Sequence, residues 1–252
     1  MSADLKNMVK AFQRPRSLTE AQFSYCPGCH HGLVMRIIAH TIDELGIQDR
    51  AVVVAPVGCA VTMYEYYRFD GIQAAHGRAC AVATGIKRVN PNLIVFTYQG
   101  DGDLAAIGTA ESIHAANRGE NITVVFINNQ IYGMTGGQMA PTTLVGQRAT
   151  SCPNGRNAQI AGYPIRFAEM IAQLEAPVYV TRQALYDQKR IMAASKAIKK
   201  AFQCQIEGKG YSLVEILTNC PTNWHMSPVE CNSHMANEVV RTFPLGDLVD
   251  RG

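Results

Sequence analysis

The sequence predicts an α/β fold, a mostly parallel sheet with helices on both faces, and three observations carry that prediction. Strand-like and helix-like segments keep alternating through most of the chain. Residues 51–57, AVVVAPV, form a nearly continuous apolar run rich in valine, the signature of a strand buried on both faces. Residues 93–98, 104–118 and 122–127 read as strand, helix and strand, with Leu104, Ile107, Ala110, Ile113 and Ala116 near one helical face. A right-handed crossover then places both strands side by side and parallel.

Taken in order, residues 1–24 are polar and read as an N-terminal arm, extended at Arg14-Pro15-Arg16. The turn Cys26-Pro27-Gly28-Cys29-His30-His31-Gly32 precedes a helix in which Leu33, Ile37, Thr41 and Leu45 share a face, ended by Gly46. The strand at 51–57 runs into Gly58-Cys59. Residues 63–70, rich in tyrosine, read as packing or interface. Ala75-His76-Gly77-Arg78-Ala79 opens a helix of small residues that Asn90-Pro91 stops. After the central βαβ unit, residues 133–155 hold four glycines and two prolines besides Gly155, with few periodic apolar positions, and a long loop of that kind is usually functional. A helix at 165–174, a strand at 177–181, a helix at 187–204 and a strand at 211–217 follow, the last leading to Thr218-Asn219-Cys220. Residues 1–252 are read as a single domain, with residues from about 229 to 252 as a C-terminal tail.

Composition excludes several classes of function. A chain of 252 residues can bury a large core without disulfides. A net charge of +3 with 17% charged residues offers no basic run of the kind that binds nucleic acid or coats a membrane. No stretch of 18 apolar residues occurs, and residues 1–16 lack the apolar core of a signal peptide, so a cytoplasmic protein is expected. In a reducing compartment the eight cysteines are read as metal ligands or buried thiols.

Two signatures carry the chemistry: Gly100-Asp101-Gly102-Asp103 after one strand of the βαβ unit and Asn128-Asn129 after the next. Both fall at the carboxyl edge of a parallel sheet, where such folds bind ligands. Asp101, Asn129 and a nearby main-chain carbonyl are hard oxygen donors suited to Mg²⁺ shared with phosphates, and the glycines admit a phosphate to the backbone. The bland reading is a pair of turns. Cys26-x-x-Cys29 fits zinc, an iron–sulfur cluster or a redox thiol pair. Cys59 and Cys220, each after a strand, can reach it in space, with Cys80 and Cys152 as further candidates. Cys204 reads as a buried hydrophobe, and Cys231 has no context. His76 is the best-placed histidine to act as a base, or else a structural hydrogen-bonding group; His30 and His31 read as neighbours of the cysteines rather than ligands. Thr135 and Gln138 offer donors in the loop, and Lys196, Lys199 and Lys200 form a solvated face or one that meets an acidic partner.

Over residues 25–229 the chain resembles the β, thiamine-diphosphate-binding subunit of the 2-oxoacid:ferredoxin oxidoreductases. The residues that carry the resemblance are CPGC at 26–29, VGC at 57–59, HGRA at 76–79, ATGIKR at 83–88, TYQGDGDLAAIGTAE at 97–111, INNQIYGMTGGQMAPTT at 127–143 and CPTNW at 220–224. The resemblance implies Mg²⁺ on Asp101, Asn129 and the main-chain oxygen of Ile131. It implies thiamine diphosphate held by Gly100, Asp101, Gly102, Asp103, Asn129, Ile131, Gly133, Met134 and Thr135, and a [4Fe-4S] cluster on Cys26, Cys29, Cys59 and Cys220. The implied reaction decarboxylates a 2-oxoacid, passes electrons through the cluster to ferredoxin and transfers the acyl group to coenzyme A. The implied assembly is a hetero-oligomer of anaerobic metabolism: an α subunit supplies the glutamate that activates the cofactor's pyrimidine ring, and γ and ferredoxin-like δ subunits complete it. The absence of Lys and Arg from residues 58–63 and 132–143 favours a branched-chain substrate such as 2-oxoisovalerate over 2-oxoglutarate. One departure is visible, His30 where the family commonly has Gly. The rival reading is a non-redox thiamine-diphosphate decarboxylase or lyase with a structural zinc site.

Overall fold

The computed structural model describes residues 13–252. Of the arm expected at 1–24, residues 1–12 lie outside the described residues. The rest of it is pinned: Leu18 is buried and bridges to Tyr67, and the Ser17 hydroxyl donates to Asp43 at 2.6 Å.

Helix α1 (His31–Leu45) ends at Gly46, whose φ of 63° is the left-handed geometry that suits glycine. Strand β1 (Ala51–Ala55) is followed by a 3₁₀ turn at Cys59–Glu65, a short strand β2 (Asp70–Gln73) and helix α2 (Ala79–Val89). Strand β3 (Ile94–Gly100), a π-helical turn at Asp103–Ile107, helix α3 (Thr109–Asn117) and strand β4 (Thr123–Asn128) make the central βαβ unit. A small hairpin of β5 (Ile131–Tyr132) and β6 (Gln138–Met139) opens the long loop. Short helices α4 (Ala158–Ala161) and α5 (Phe167–Ala172) lead to β7 (Tyr179–Ala184), the long helix α6 (Gln188–Ile206) and β8 (Ser212–Leu217). The chain closes with α7 (Pro221–Trp224), α8 (Pro228–His234), a π-helical turn at Met235–Val239, α9 (Val240–Thr242) and β9 (Gly246–Asp250).

The main sheet has seven strands in the order β2-β1-β3-β4-β8-β7-β9, all parallel to their neighbours except β9, which runs antiparallel to β7. Alternate residues of the central strands feed two cores. Val53, Phe96, Tyr98, Val125 and Ile127 pack with α1 and α6, while Val52, Val54, Val95, Val124 and Phe126 pack with α2, α3 and α5. Helices on both faces therefore cover the central strands, the reason those strands are rich in apolar residues on both sides, with buried exceptions such as Arg182 and Glu215 that pair with each other.

The structure corrects the reading of the C-terminal stretch as a tail. Cys231, Met235, Val239 and Phe243, spaced four apart, enter a third core with Leu217, Trp224 and Leu144. Ser227 and Glu230 form a capping box over Pro228, so the helix start was written in the sequence as well. Edge strands β2 and β9 lack the β-branched runs of the others and are held by the neighbours they extend.

Candidate functional site

Parallel pairing puts the ends of β1, β3, β4 and β8 along one edge. Gly100 pairs with Ile127, and Asn128 pairs with Leu217, so Asp101, Asn129 and the segment leading to Cys220 leave the sheet at nearly one level. They enclose a cavity of roughly 100 Å³ lined by Gly100, Asp101, Gly102, Asp103, Asn129, Ile131, Gly133, Met134, Thr135, His76 and Cys59. All the residues expected to bind cofactor are thus brought together, and His31 joins them.

Asp101 is 2% exposed. Its carboxylate accepts from the Gly102 amide at 2.8 Å and the Thr142 hydroxyl at 2.7 Å. Burial pushes its pKa up to about 7, against the pull of Thr142 and the backbone amides of Gly102, Gln130 and Ile131. All of these partners are neutral, so it is hydrogen bonds and not a protein cation that offset the cost of burying the carboxylate. Asn129 accepts from the Ile131 amide through Oδ1 at 3.3 Å, and its carbonyl accepts from the Trp224 indole at 3.0 Å.

The two asparagines have different tasks. Asn128 turns into the fold, its amide donating to the fully buried Glu215 at 2.7 Å. Glu215 also accepts from Arg182 at 2.8 Å, and Arg182 reaches on to Glu169 at 2.8 Å. Gln130, at a φ of 59° that a non-glycine residue adopts at a cost, donates to both oxygens of Asn128. This web fixes the backbone on either side of Asn129.

Asp103 lies in the cavity wall but is occupied by protein. Its Oδ1 accepts from the Gly77 amide at 2.9 Å, faces His76 Nδ1 at 2.6 Å and accepts weakly from the Val57 amide at 3.4 Å; Oδ2 accepts from Gln99 at 2.6 Å. It thereby fixes the orientation of His76 against the cavity. The glycines also differ. A Cβ on Gly102 would sit 2.0 Å from the Tyr132 ring, whereas one on Gly100 would meet nothing within 4 Å. Gly102 thus makes room for Tyr132, and Gly100 leaves open space. Thr135 and Gln138 hydrogen-bond one another at the exposed end of the loop.

The cysteines gather beside this cavity. A Cβ on Gly133 would lie 3.3 Å from Cys59 Sγ and 3.5 Å from Cys220 Sγ. The thiol of Cys29 is pushed up to about 12, first by burial and then by Cys220, Cys59 and Cys26; that of Cys59 is pushed up to about 11, by burial and by Cys220 and Cys26. Burial also raises Cys220. Cys26, Cys29, Cys59 and Cys220 thus lie close enough to one another to interact electrostatically. Among the described residues no three His, Cys, Asp or Glu side chains converge on the position of one metal ion. Asn219 clamps the Cys26–Cys29 turn, accepting from the His30 amide at 3.0 Å and donating to the Gly28 carbonyl at 3.1 Å. Cys80 is in α2, bonded to Gln99 in the core opposite α1, and Cys152 is in the long loop; neither joins the corner.

Thr142, Asn219, Asn223 and Trp224 are the supporting residues that motif reading passed over, although each lies inside or beside a quoted motif. Arg156 was equally silent. Its guanidinium, 5% exposed, donates to the carbonyls of Ala140, Pro141, Thr143, Ala161, Gly162 and Tyr163, the girdle of the loop that carries Thr142 to Asp101.

Comparison with known proteins agrees with this geometry. Residues 56–216 match the family described as thiamine pyrophosphate enzyme, C-terminal TPP binding domain. The chain is 49% identical over 240 residues to ketoisovalerate oxidoreductase subunit VorA of Methanothermobacter thermautotrophicus, covering 95% of this chain and 50% of the relative. It is 37% identical over 211 residues to 2-oxoglutarate synthase subunit KorB of Archaeoglobus fulgidus, covering 84% of this chain and 74% of that one. The chain spans about half the length of the VorA relatives it matches. A solved 2-oxoglutarate:ferredoxin oxidoreductase from Magnetococcus marinus superposes with a TM-score of 0.73 at 28% identity, over 86% of this chain and 71% of that one. The chain belongs to the family of thiamine-diphosphate-binding subunits of 2-oxoacid oxidoreductases.

Proposed function

We propose that the chain is the catalytic β subunit of a 2-oxoacid:ferredoxin oxidoreductase. It oxidatively decarboxylates a 2-oxoacid to acyl-CoA and carbon dioxide and delivers electrons through its own [4Fe-4S] cluster to ferredoxin. One observation supports the reading above others: the Asp101–Asn129 cavity and the four-cysteine corner share a wall, at Gly133. A thiamine enzyme without redox chemistry has no use for that juxtaposition, and four thiols drawn from three segments are a ligand set suited to a polynuclear cluster.

Thiamine diphosphate and Mg²⁺ fit the residues present. Asp101 is a desolvated carboxylate with neutral partners, Asn129 and the Ile131 carbonyl supply further oxygen donors, and the open space at Gly100 lets phosphate oxygens reach the backbone. The cofactor, when bound, supplies the centre that stabilises negative charge on the substrate's former carbonyl carbon. The protein's own residues position and shield. Thr142 and the Gly102 amide aim the Asp101 carboxylate, and Asp103 aims His76, a candidate to hold or move a proton at the substrate. Gly133, Met134 and Thr135, which line the cavity, would supply loop contacts to the diphosphate.

The cavity is far smaller than the roughly 300–1,000 Å³ typical of a complete small-molecule site. That small size supports the reading that a partner forms the rest of it. We assign that role to an α subunit, which contributes the pyrimidine-activating glutamate, with γ and ferredoxin-like δ subunits in the same assembly. The favoured substrate is a branched-chain 2-oxoacid such as 2-oxoisovalerate, because the cavity loops hold no Lys or Arg to meet a second carboxylate. The relatives named for ketoisovalerate also share more identity with the chain than those named for 2-oxoglutarate. Among the described residues no helix is long and apolar enough to cross a membrane, and we place the complex in the cytoplasm.

The test is anaerobic co-purification with partner subunits, then metal analysis and rates on 2-oxoisovalerate, 2-oxoglutarate and pyruvate. About four irons and four sulfides per chain are expected, with ferredoxin reduction that needs 2-oxoacid, coenzyme A and thiamine diphosphate together. Colourless, zinc-loaded protein, or ferredoxin reduction without a 2-oxoacid, refutes the proposal.

A further inference from the structure

The cofactor loop and the cysteine corner meet at a single side chain. Asn223, three residues after Cys220 in the short helical turn α7, places Nδ2 at 3.0 Å from the Gly133 carbonyl and 3.2 Å from Cys220 Sγ. Both neighbours are acceptors, so the amide faces them with its nitrogen, and its two N–H groups suffice for one each. The rest of the side chain is clamped. A Cβ on Gly137, where φ is +84°, would come within 2.8 Å of Asn223 Oδ1 and 3.1 Å of its Cβ. The Trp224 amide closes the turn on the Cys220 carbonyl at 2.8 Å. The donor is therefore held at the sulfur in advance.

We propose that Asn223 is a positioning residue that sets the reduction potential of the cysteine-bound cluster while anchoring the cofactor loop beside it. This rests on the cluster reading above. An N–H directed at a ligand sulfur withdraws negative charge from it, and a reduced cluster carries one more negative charge than an oxidised one. The hydrogen bond stabilises the reduced form more, and so raises the potential. The Gly133 bond keeps the donor in register: a Cβ on Gly133 would meet both Cys59 and Cys220 sulfurs, and Gly133 lies two residues from Ile131, an expected Mg²⁺ ligand. One amide thus sets how readily the cluster takes an electron from the adjoining site.

The experiment uses the complete complex, purified anaerobically as wild type and as Asn223→Ala, Asn223→Leu and Asn223→Gln. A Cys220→Ser complex identifies which paramagnetic signal belongs to this chain. Wild-type complex lacking that signal and its iron overturns the cluster reading itself, whatever Asn223 does. With iron content equal to wild type, a redox titration followed by electron paramagnetic resonance is expected to show a lower midpoint potential in the Ala and Leu variants alike. The Gln variant, which keeps a donor, should recover at least part of the shift. An unchanged midpoint in either donor-free variant overturns the proposal. Loss of iron from both, with retention in Gln at any potential, assigns Asn223 a structural role instead and also overturns it.

Discussion

The two halves of the sheet's carboxyl edge are built on different principles. The diphosphate half comes from nearly contiguous chain: Asp101 and Asn129 end adjacent strands of one βαβ unit, and Thr142 follows within the next loop. Its polar atoms are already paired, through Gly102 and Thr142 on one side and Asn128, Glu215 and Arg182 on the other. The cysteine half is gathered from three distant segments, clamped by Asn219 and Pro228. The thiols of Cys29 and Cys59 are pushed up by burial and by neighbouring cysteines. The first half is organised by adjacent strands of the sheet and their hydrogen bonds, whereas the second draws its thiols from segments far apart in sequence.

The largest effects should separate the halves. Asp101→Ala removes the proposed metal ligand and should lower kcat/KM at least about a thousandfold, the several kcal/mol a bound metal contributes, while leaving iron content at the wild-type value. Cys220→Ser should do the converse, abolishing ferredoxin reduction and the cluster signal while calorimetry still detects thiamine diphosphate binding to the complex. Loss of both groups in either variant would show the halves to be one cooperative unit.

A second prediction probes how the sheet organises the diphosphate half. Arg182 and Glu215 have fully buried side chains, with Glu215 pushed up by burial and held down by Arg182. Arg182→Met strands the carboxylate and should cost about 3–5 kcal/mol in denaturant unfolding. Adding Glu215→Gln should return part of that loss, because Gln keeps an acceptor for Asn128. An unchanged midpoint in the single variant would mean that water or Asn128 alone satisfies Glu215.

How far these features were legible follows the same division. The five buried strands and the βαβ unit were visible because strands covered on both faces are rich in apolar and β-branched residues, and the two side chains expected to hold Mg²⁺ sat at their ends. The edge strands were invisible, since the pairing of β2 is decided by β1 and not by Asp70-Gly71-Ile72-Gln73 itself. The sequence singled out Asn129 as the ligand and gave Asn128 no task. Only Glu215, 87 residues away, shows that it is structural. Arg156 likewise carries no motif, because its six acceptors are main-chain carbonyls, which any sequence possesses.

The smallest effects concern the glycines of Gly100-Asp101-Gly102, which sequence alone treats as equivalent. A methyl at Gly102 would fall inside the Tyr132 ring at 2.0 Å, so Gly102→Ala should cost about 1–3 kcal/mol of overpacking strain in unfolding measurements. Adding Tyr132→Ala should relieve much of it. Gly100 has no neighbour within 4 Å of such a methyl and does not adopt the left-handed conformation. Gly100→Ala should therefore leave the unfolding midpoint within about 0.5 kcal/mol of wild type and instead raise the thiamine diphosphate dissociation constant, because the methyl occupies space meant for the ligand. A destabilised Gly100→Ala protein that bound cofactor normally would reverse the assignment and make Gly100 a residue of the fold rather than of the site.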